Sequence, residues 1–130
     1  MERLVTILCV GVGSFVGGIL RYLVSLWTQS RGWTSFPWAT LIVNVVGCFL
    51  IMLIMTVATA ITMRSNLRLF LTTGIMGGLT TYSTFDYETT KFFFDDRAPF
   101  MAFANIGATL VACFIAGLLG LALARVVAPE

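Results

Sequence analysis

From Trp38 to Met63 the chain carries no charged residue. A helix needs about 20 apolar residues to cross the ~30 Å hydrocarbon core of a bilayer, and this run exceeds that. Three further apolar runs accompany it: Leu4 to Trp27, interrupted only by Arg21; Leu69 to Phe85, ending at Asp86; and Phe100 to Ala124, ending at Arg125. The third of the four, Leu69 to Phe85, reaches across only if helix continues past Asp86 to about Phe94. In lipid every backbone N–H and C=O must be satisfied internally, which leaves helices and closed barrels. These runs are too long and continuous for barrel strands. The sequence therefore predicts an all-α integral membrane fold of four transmembrane helices in a single domain over 1–130. The expected helices are about 4–27, 38–63, 68–94 and 99–125, the third broken near 76–81.

Composition agrees. The chain is 58% hydrophobic and 11% charged, whereas a soluble domain is about 25% charged. A chain of 130 residues has too little interior to hide that much apolar surface. A net charge of +2 without a basic tract leaves no electrostatic footprint for nucleic acid. There is no histidine, and the three cysteines (Cys9, Cys48, Cys113) fall inside apolar runs, where they are expected to act as small packing residues. The first run is longer than a signal-peptide core and lacks an A-x-A-like cleavage site, so it is read as a retained helix.

The loop charges barely specify an orientation. With four crossings, Arg3, Arg64, Arg68 and Arg125 share one side, and Arg31, Lys91 and Arg97 the other. A bias of four against three permits insertion both ways. Equal insertion would allow an antiparallel, dual-topology homodimer. The alternative is that one borderline residue, such as Arg21, tips the balance. Trp27, Trp33 and Trp38 gather around the first loop, where amphipathic rings favour the interface.

The fourth run repeats small residues every fourth position from Ala104 to Ala124, and the first holds Gly13, Ser14, Gly17 and Gly18. Such stripes let helix backbones approach closely in lipid. Polar residues within the runs are fewer. Asn44 lies ~9 Å below Trp38 along its helix, with Thr40 one turn earlier; Asn105, Thr109 and Cys113 share a face of the last helix. Buried amides and hydroxyls of this kind serve either as glue between helices or as the lining of a path for a polar solute. Arg21 either snorkels to the interface or draws anions into a vestibule.

The third run holds the strongest signal. Residues 74–85 read Gly-Ile-Met-Gly-Gly-Leu-Thr-Thr-Tyr-Ser-Thr-Phe. Gly74, Gly77 and Gly78 weaken helix propensity. Thr80, Thr81, Ser83 and Thr84 then place hydroxyls where they can satisfy backbone groups released by a broken helix. Freed carbonyls can coordinate a cation, as in discontinuous transporter helices. Tyr82 and Phe85 lie three apart, and their ring edges, which carry partial positive charge, suit an anion in a dry passage.

On these residues the chain resembles the fluoride channel family, Fluc or CrcB. Ala-Thr-Leu-Ile-Val-Asn at 39–44 is similar to the family's Gly-Thr-Leu-x-x-Asn, and 74–85 to its Gly-x-x-Gly-Gly-x-Thr-Thr-Phe-Ser-Thr-Phe. The resemblance covers essentially the whole chain. It implies a multi-pass protein of the cell (inner) membrane that passively exports fluoride as an antiparallel homodimer, with two fluoride paths lined by both copies. It further implies a central sodium ion held by backbone carbonyls at Gly77 and Thr80. The implied fluoride path is Asn44, Tyr82, Phe85, Ser83, Thr84, Thr109 and, near the vestibule, Thr40, with Arg21 and Glu88 as its charged residues. Three positions depart from the family pattern: Tyr82 stands for a phenylalanine, Asp86 for a serine, and Cys113 where a hydroxyl is common.

Two other classes stand as alternatives. A small multidrug-type proton-coupled exporter needs a carboxylate within its first helix, and Leu4 to Trp27 holds none. A non-transporting assembly subunit would use the third-helix break for packing alone. No nucleophile–base pair and no metal cluster points to an enzyme.

Overall fold

The computed structural model describes residues 1–128; Pro129 and Glu130, the end of the domain expected over 1–130, lie outside the described residues. The elements in chain order are α1 (Glu2–Ser30), α2 (Trp38–Ala60), α3 (Ser65–Leu69), a π-helical stretch (Phe70–Met76), α4 (Gly77–Leu79), α5 (Tyr82–Phe94) and α6 (Pro99–Val127). No strand occurs among the described residues. Three single helices, α1, α2 and α6, are long and apolar enough to cross a membrane. The remaining run is divided at Thr80 and Thr81, so no one piece of it spans alone. Large apolar side chains such as Ile7, Phe15, Phe103 and Phe114 point outward, a surface that lipid accepts and water does not.

Local chemistry sets the ends. At the close of α1, Gly32 adopts φ +72°, the left-handed conformation that glycine takes without steric cost. Trp33 N then donates to Thr28 O at 3.0 Å and Gly32 N to Gln29 O at 2.9 Å, which satisfies the last carbonyls in a Schellman motif. The turn brings Trp33 within 5.2 Å of Trp27, edge to face, and within 6.1 Å of Trp38. Expected to run to Met63, α2 stops instead at Ala60. Thr62 turns the chain with φ 52°, and Met63 N bonds back to Ala58 O at 3.0 Å. Apolar composition continues past the end of this helix, so it could not mark the end.

Two glycine-lined seams hold the helices together. Along α1, Gly13 and Gly17 face the third segment: a Cβ on Gly13 would stand 2.8 Å from Gly74 Cα, and one on Gly17 2.8 Å from Leu79 N. Gly78 meets Ser14 in the same way, with a Cβ placed 3.0 Å from Ser14 Cα. Thus Gly74 and Gly78 do not break the helix; they let its backbone lie against α1. The second seam joins α2 and α6. Ala116, Gly120 and Ala124 are buried there, and a Cβ on Gly120 would sit 3.1 Å from the Phe49 carbonyl carbon. Val43, Met76 and Leu79 form the apolar core between the seams, backed by Val24, Leu50 and Ile54.

Because the Gly17 contact is backbone on backbone, a larger residue cannot be absorbed by a side-chain shift. Gly17→Val is expected to destabilise the fold by about 1–3 kcal/mol, read as a lowered thermal midpoint in detergent. Gly11→Val, where a Cβ would meet nothing within 4 Å, should leave the midpoint near wild type.

Candidate functional site

The break occupies two residues. Thr80 (φ −80°, ψ 156°) and Thr81 (φ −152°, ψ 123°) are extended, so the helical ladder is interrupted within the apolar body of the protein. Their polar groups need other partners. Asn44 supplies them for Thr81. Its Oδ1 accepts from Thr81 N at 2.8 Å, and its Nδ2 donates to Thr81 O at 3.0 Å. Asn44 is 8% exposed and Thr81 equally buried, so water cannot easily substitute. The side-chain amide thus does what a neighbouring strand would do. One Asn44 N–H remains, since a carboxamide has two.

Thr81 also starts α5. Its Oγ1 accepts from Thr84 N at 3.2 Å and donates to Thr84 Oγ1 at 3.0 Å, the geometry of a threonine N-cap. On the other side, Thr80 Oγ1 donates to Met76 O at 2.9 Å, and the Thr80 methyl packs against Gly47 of α2. A side chain at Gly47 would push directly on the break.

These bonds release two carbonyls. In a continuous α-helix Gly77 O would accept from Thr81 N, and Thr80 O from Thr84 N. Asn44 takes the first donor and the Thr81 hydroxyl the second. Gly77 and Thr80 both line one cavity of about 740 Å³ between α2, the third segment and α6. Gly77 packs loosely, a Cβ there meeting only Thr72 O at 3.9 Å. Among the described residues no three His, Cys, Asp or Glu side chains gather to hold a metal ion. A hard cation at this place would rest on neutral oxygens, and the released Gly77 and Thr80 carbonyls are suitable donors.

The same cavity is lined by Asn44, Tyr82, Phe85 and Thr109. The rings of Tyr82 and Phe85 lie 5.5 Å apart at 52°. Phe85 is buried and Tyr82 stands out from the chain, 77% exposed. A buried chain of polar groups fixes the helix under Phe85. Thr109 Oγ1 donates to Asn105 Oδ1 at 3.5 Å, Asn105 Nδ2 to Thr89 Oγ1 at 2.9 Å, and Thr89 Oγ1 to Phe85 O at 2.7 Å.

A second cavity of about 310 Å³ holds Arg21, Thr40 and Thr84, together with Ser25 and Tyr22. Thr81 lines both cavities and so forms the partition between them. Thr40 Oγ1 donates to Glu88 Oε1 at 2.9 Å, while Glu88 Oε2 is buried with no hydrogen-bond partner among the described residues. Glu88, which the sequence places beside Lys91, is thus tied to α2. Ser83 is exposed and lies outside both cavities; its Oγ is 3.4 Å from Thr81 Oγ1.

The implied fluoride path omits Thr81, Asn105 and Thr89, although Thr81 and Asn105 are among the polar groups that the sequence singles out. A threonine just ahead of the first apolar residue of a helix is an N-cap signal, and Thr81 before Tyr82 carries it. Nothing in the sequence pairs Asn105 with Thr89, because the contact joins two helices.

The fold and site define a helical, multi-pass membrane protein with a broken helix between a smaller cavity that holds Arg21 and a larger hydroxyl- and ring-lined one. The family described as CrcB-like protein, Camphor Resistance (CrcB), matches residues 8–121, and the chain belongs to that family. It is 44% identical over 117 residues to a fluoride-specific ion channel FluC of Sorangium cellulosum, covering 89% of this chain and 91% of that relative. It is 43% identical over 129 residues to one of Clostridium novyi, covering 98% and 92%. A third, from Clostridium perfringens, is 50% identical over 90 residues, covering 68% and 70%.

Removing the Asn44 amide leaves the Thr81 N–H and C=O without partners. Asn44→Ala is expected to cost about 2 kcal/mol or more and to speed amide exchange at residues 80–84, measured by hydrogen–deuterium exchange in detergent. Thr81→Val should lose the N-cap, about 1 kcal/mol, and Thr81→Ser should recover most of it in the same thermal assay.

Proposed function

We propose that the chain is a fluoride-selective channel that exports fluoride passively and lowers its cytoplasmic concentration. The observation that carries this reading is the convergence of Asn44, Tyr82, Phe85 and Thr109 on one cavity beside the helix break, in a chain so similar to fluoride-specific channels. Fluoride is small and holds its water tightly. A narrow path must offer replacement donors, and neutral ones release the ion more readily than a fixed cation would. Arg21 raises the local anion concentration in the smaller cavity. The hydroxyls of Thr40 and Thr84 take the first contacts there. Beyond the Thr81 partition, the remaining Asn44 N–H and the edges of Tyr82 and Phe85 take over, and Thr109 continues the track. Ser83 joins only if a second copy covers it.

That second copy is part of the proposal. Tyr82 forms half of the ring pair yet is left largely uncovered by its own chain. An antiparallel homodimer in the cell (inner) membrane would enclose it, and the near-even loop charges support insertion both ways. The same arrangement would bring a second pair of Gly77 and Thr80 carbonyls to complete the oxygen shell of a sodium ion. Bound there, sodium would supply a fixed structural tie between the copies.

In potassium-loaded liposomes treated with valinomycin, the purified protein should release fluoride and retain chloride. No fluoride release from folded protein would refute the reading. Phe85→Ile, which keeps bulk but removes the ring edge, should slow fluoride release about tenfold, the equivalent of ~1.4 kcal/mol, with unchanged gel-filtration behaviour. Exchanging sodium for a larger organic cation should lower the thermal midpoint of the wild type, and the loss should reverse when sodium returns.

A further inference from the structure

The larger cavity has a sulfur-rich wall that fluoride conduction does not use. Cys48 on α2 and Cys113 on α6 both line it, and both are partly accessible. The α2–α6 seam holds them there. One turn beyond Cys113, a Cβ on Gly117 would stand 3.8 Å from Cys48 O and 3.5 Å from Met52 Cγ, so the two backbones are close at this level. Two thioethers, Met55 and Met76, line the same cavity. Small packing residues are all that the sequence suggests for these cysteines; their convergence across two helices is visible only in the fold.

We propose that Cys48 and Cys113 form a dithiol site for a soft, thiophilic divalent cation. Thiolate and thioether donors select soft metals over hard ones. Two thiols suit a divalent ion of two-coordinate habit for a reason of charge. With Hg2+, two S–Hg bonds form, two S–H bonds break, and two protons leave to solvent. The product is neutral, and a neutral complex is the one that an apolar, lipid-surrounded cavity tolerates. A cation so placed sits beside Asn44 and Phe85 and obstructs the path; this last consequence rests on the channel reading above.

Hg2+ is the probe, added to the full chain in detergent and followed by a wash with excess monothiol, which strips ions held by one sulfur. Intact-mass measurement should then find one Hg2+ retained per chain in the wild type and in Cys9→Ser. Retention should fall at least about tenfold in Cys48→Ser and in Cys113→Ser, because the second thiol acts at high effective concentration. A readout without variants accompanies it: Hg2+ should protect Cys48 and Cys113 together from alkylation while Cys9 stays reactive. Wild-type protein that loses all its Hg2+ in the wash, or retention that depends on Cys9, would overturn the site. In liposomes, Hg2+ should halt fluoride release by the wild type and spare Cys113→Ser. Retained Hg2+ with undiminished fluoride release would uphold the dithiol and remove this cavity from the fluoride path.

Discussion

The paired hydrogen bonds between the Asn44 carboxamide and the backbone of Thr81 are the constraint on which the rest depends. A helix interrupted in lipid exposes donors and acceptors that the bilayer cannot satisfy. One side chain answers both groups of Thr81, and in doing so it takes the N–H that Gly77 O would otherwise hold. The break, the released carbonyl and the orientation of the Asn44 amide are therefore one event. Asn44 is at once a structural brace and a member of the cavity wall, so on the proposed reading substitutions there alter folding and transport together. Effects on transport at this position are interpretable only beside a stability measurement.

The break also needs rigid flanks. Upstream, Gly13 and Gly17 of α1 grip Gly74, Ile75 and Gly78 at backbone distance. Downstream, Thr81 caps α5, and the Asn105–Thr89 bond anchors it to α6. With both sides held, two extended residues can persist without the segment relaxing to a continuous helix. The π-helical stretch at Phe70–Met76 fits the same picture, since such irregular turns recur near functional sites.

Electrostatically the site favours neutral donors over charge. Arg21 lies in the outer cavity, and the larger cavity has no charged side chain in its wall. A cation beside a desolvated anion would hold it strongly. Hydroxyls, an amide N–H and ring edges bind more weakly and in series, which suits passage over retention. Of the departures, Tyr82 keeps its ring in the pair, and Asp86 is exposed one turn later on the same face of α5.

Much of this was legible in the chain itself. Uncharged runs of membrane length determined the all-helical class, because lipid leaves the backbone little choice. The glycine- and threonine-rich stretch from Gly74 to Phe85 marked the irregular segment to within a few residues. What each part of that stretch does was decided by tertiary structure. Gly74 and Gly78 are contact points for α1, while Thr80 and Thr81 carry the break, because close backbone approach is a property of two helices and not of one. The end of α2 at Ala60, the Asn105–Thr89 bond and the convergence of Cys48 and Cys113 on one cavity were likewise beyond one-dimensional reading. Each depends on which faces of separate helices meet, and hydropathy, which is nearly uniform around these helices, does not record that.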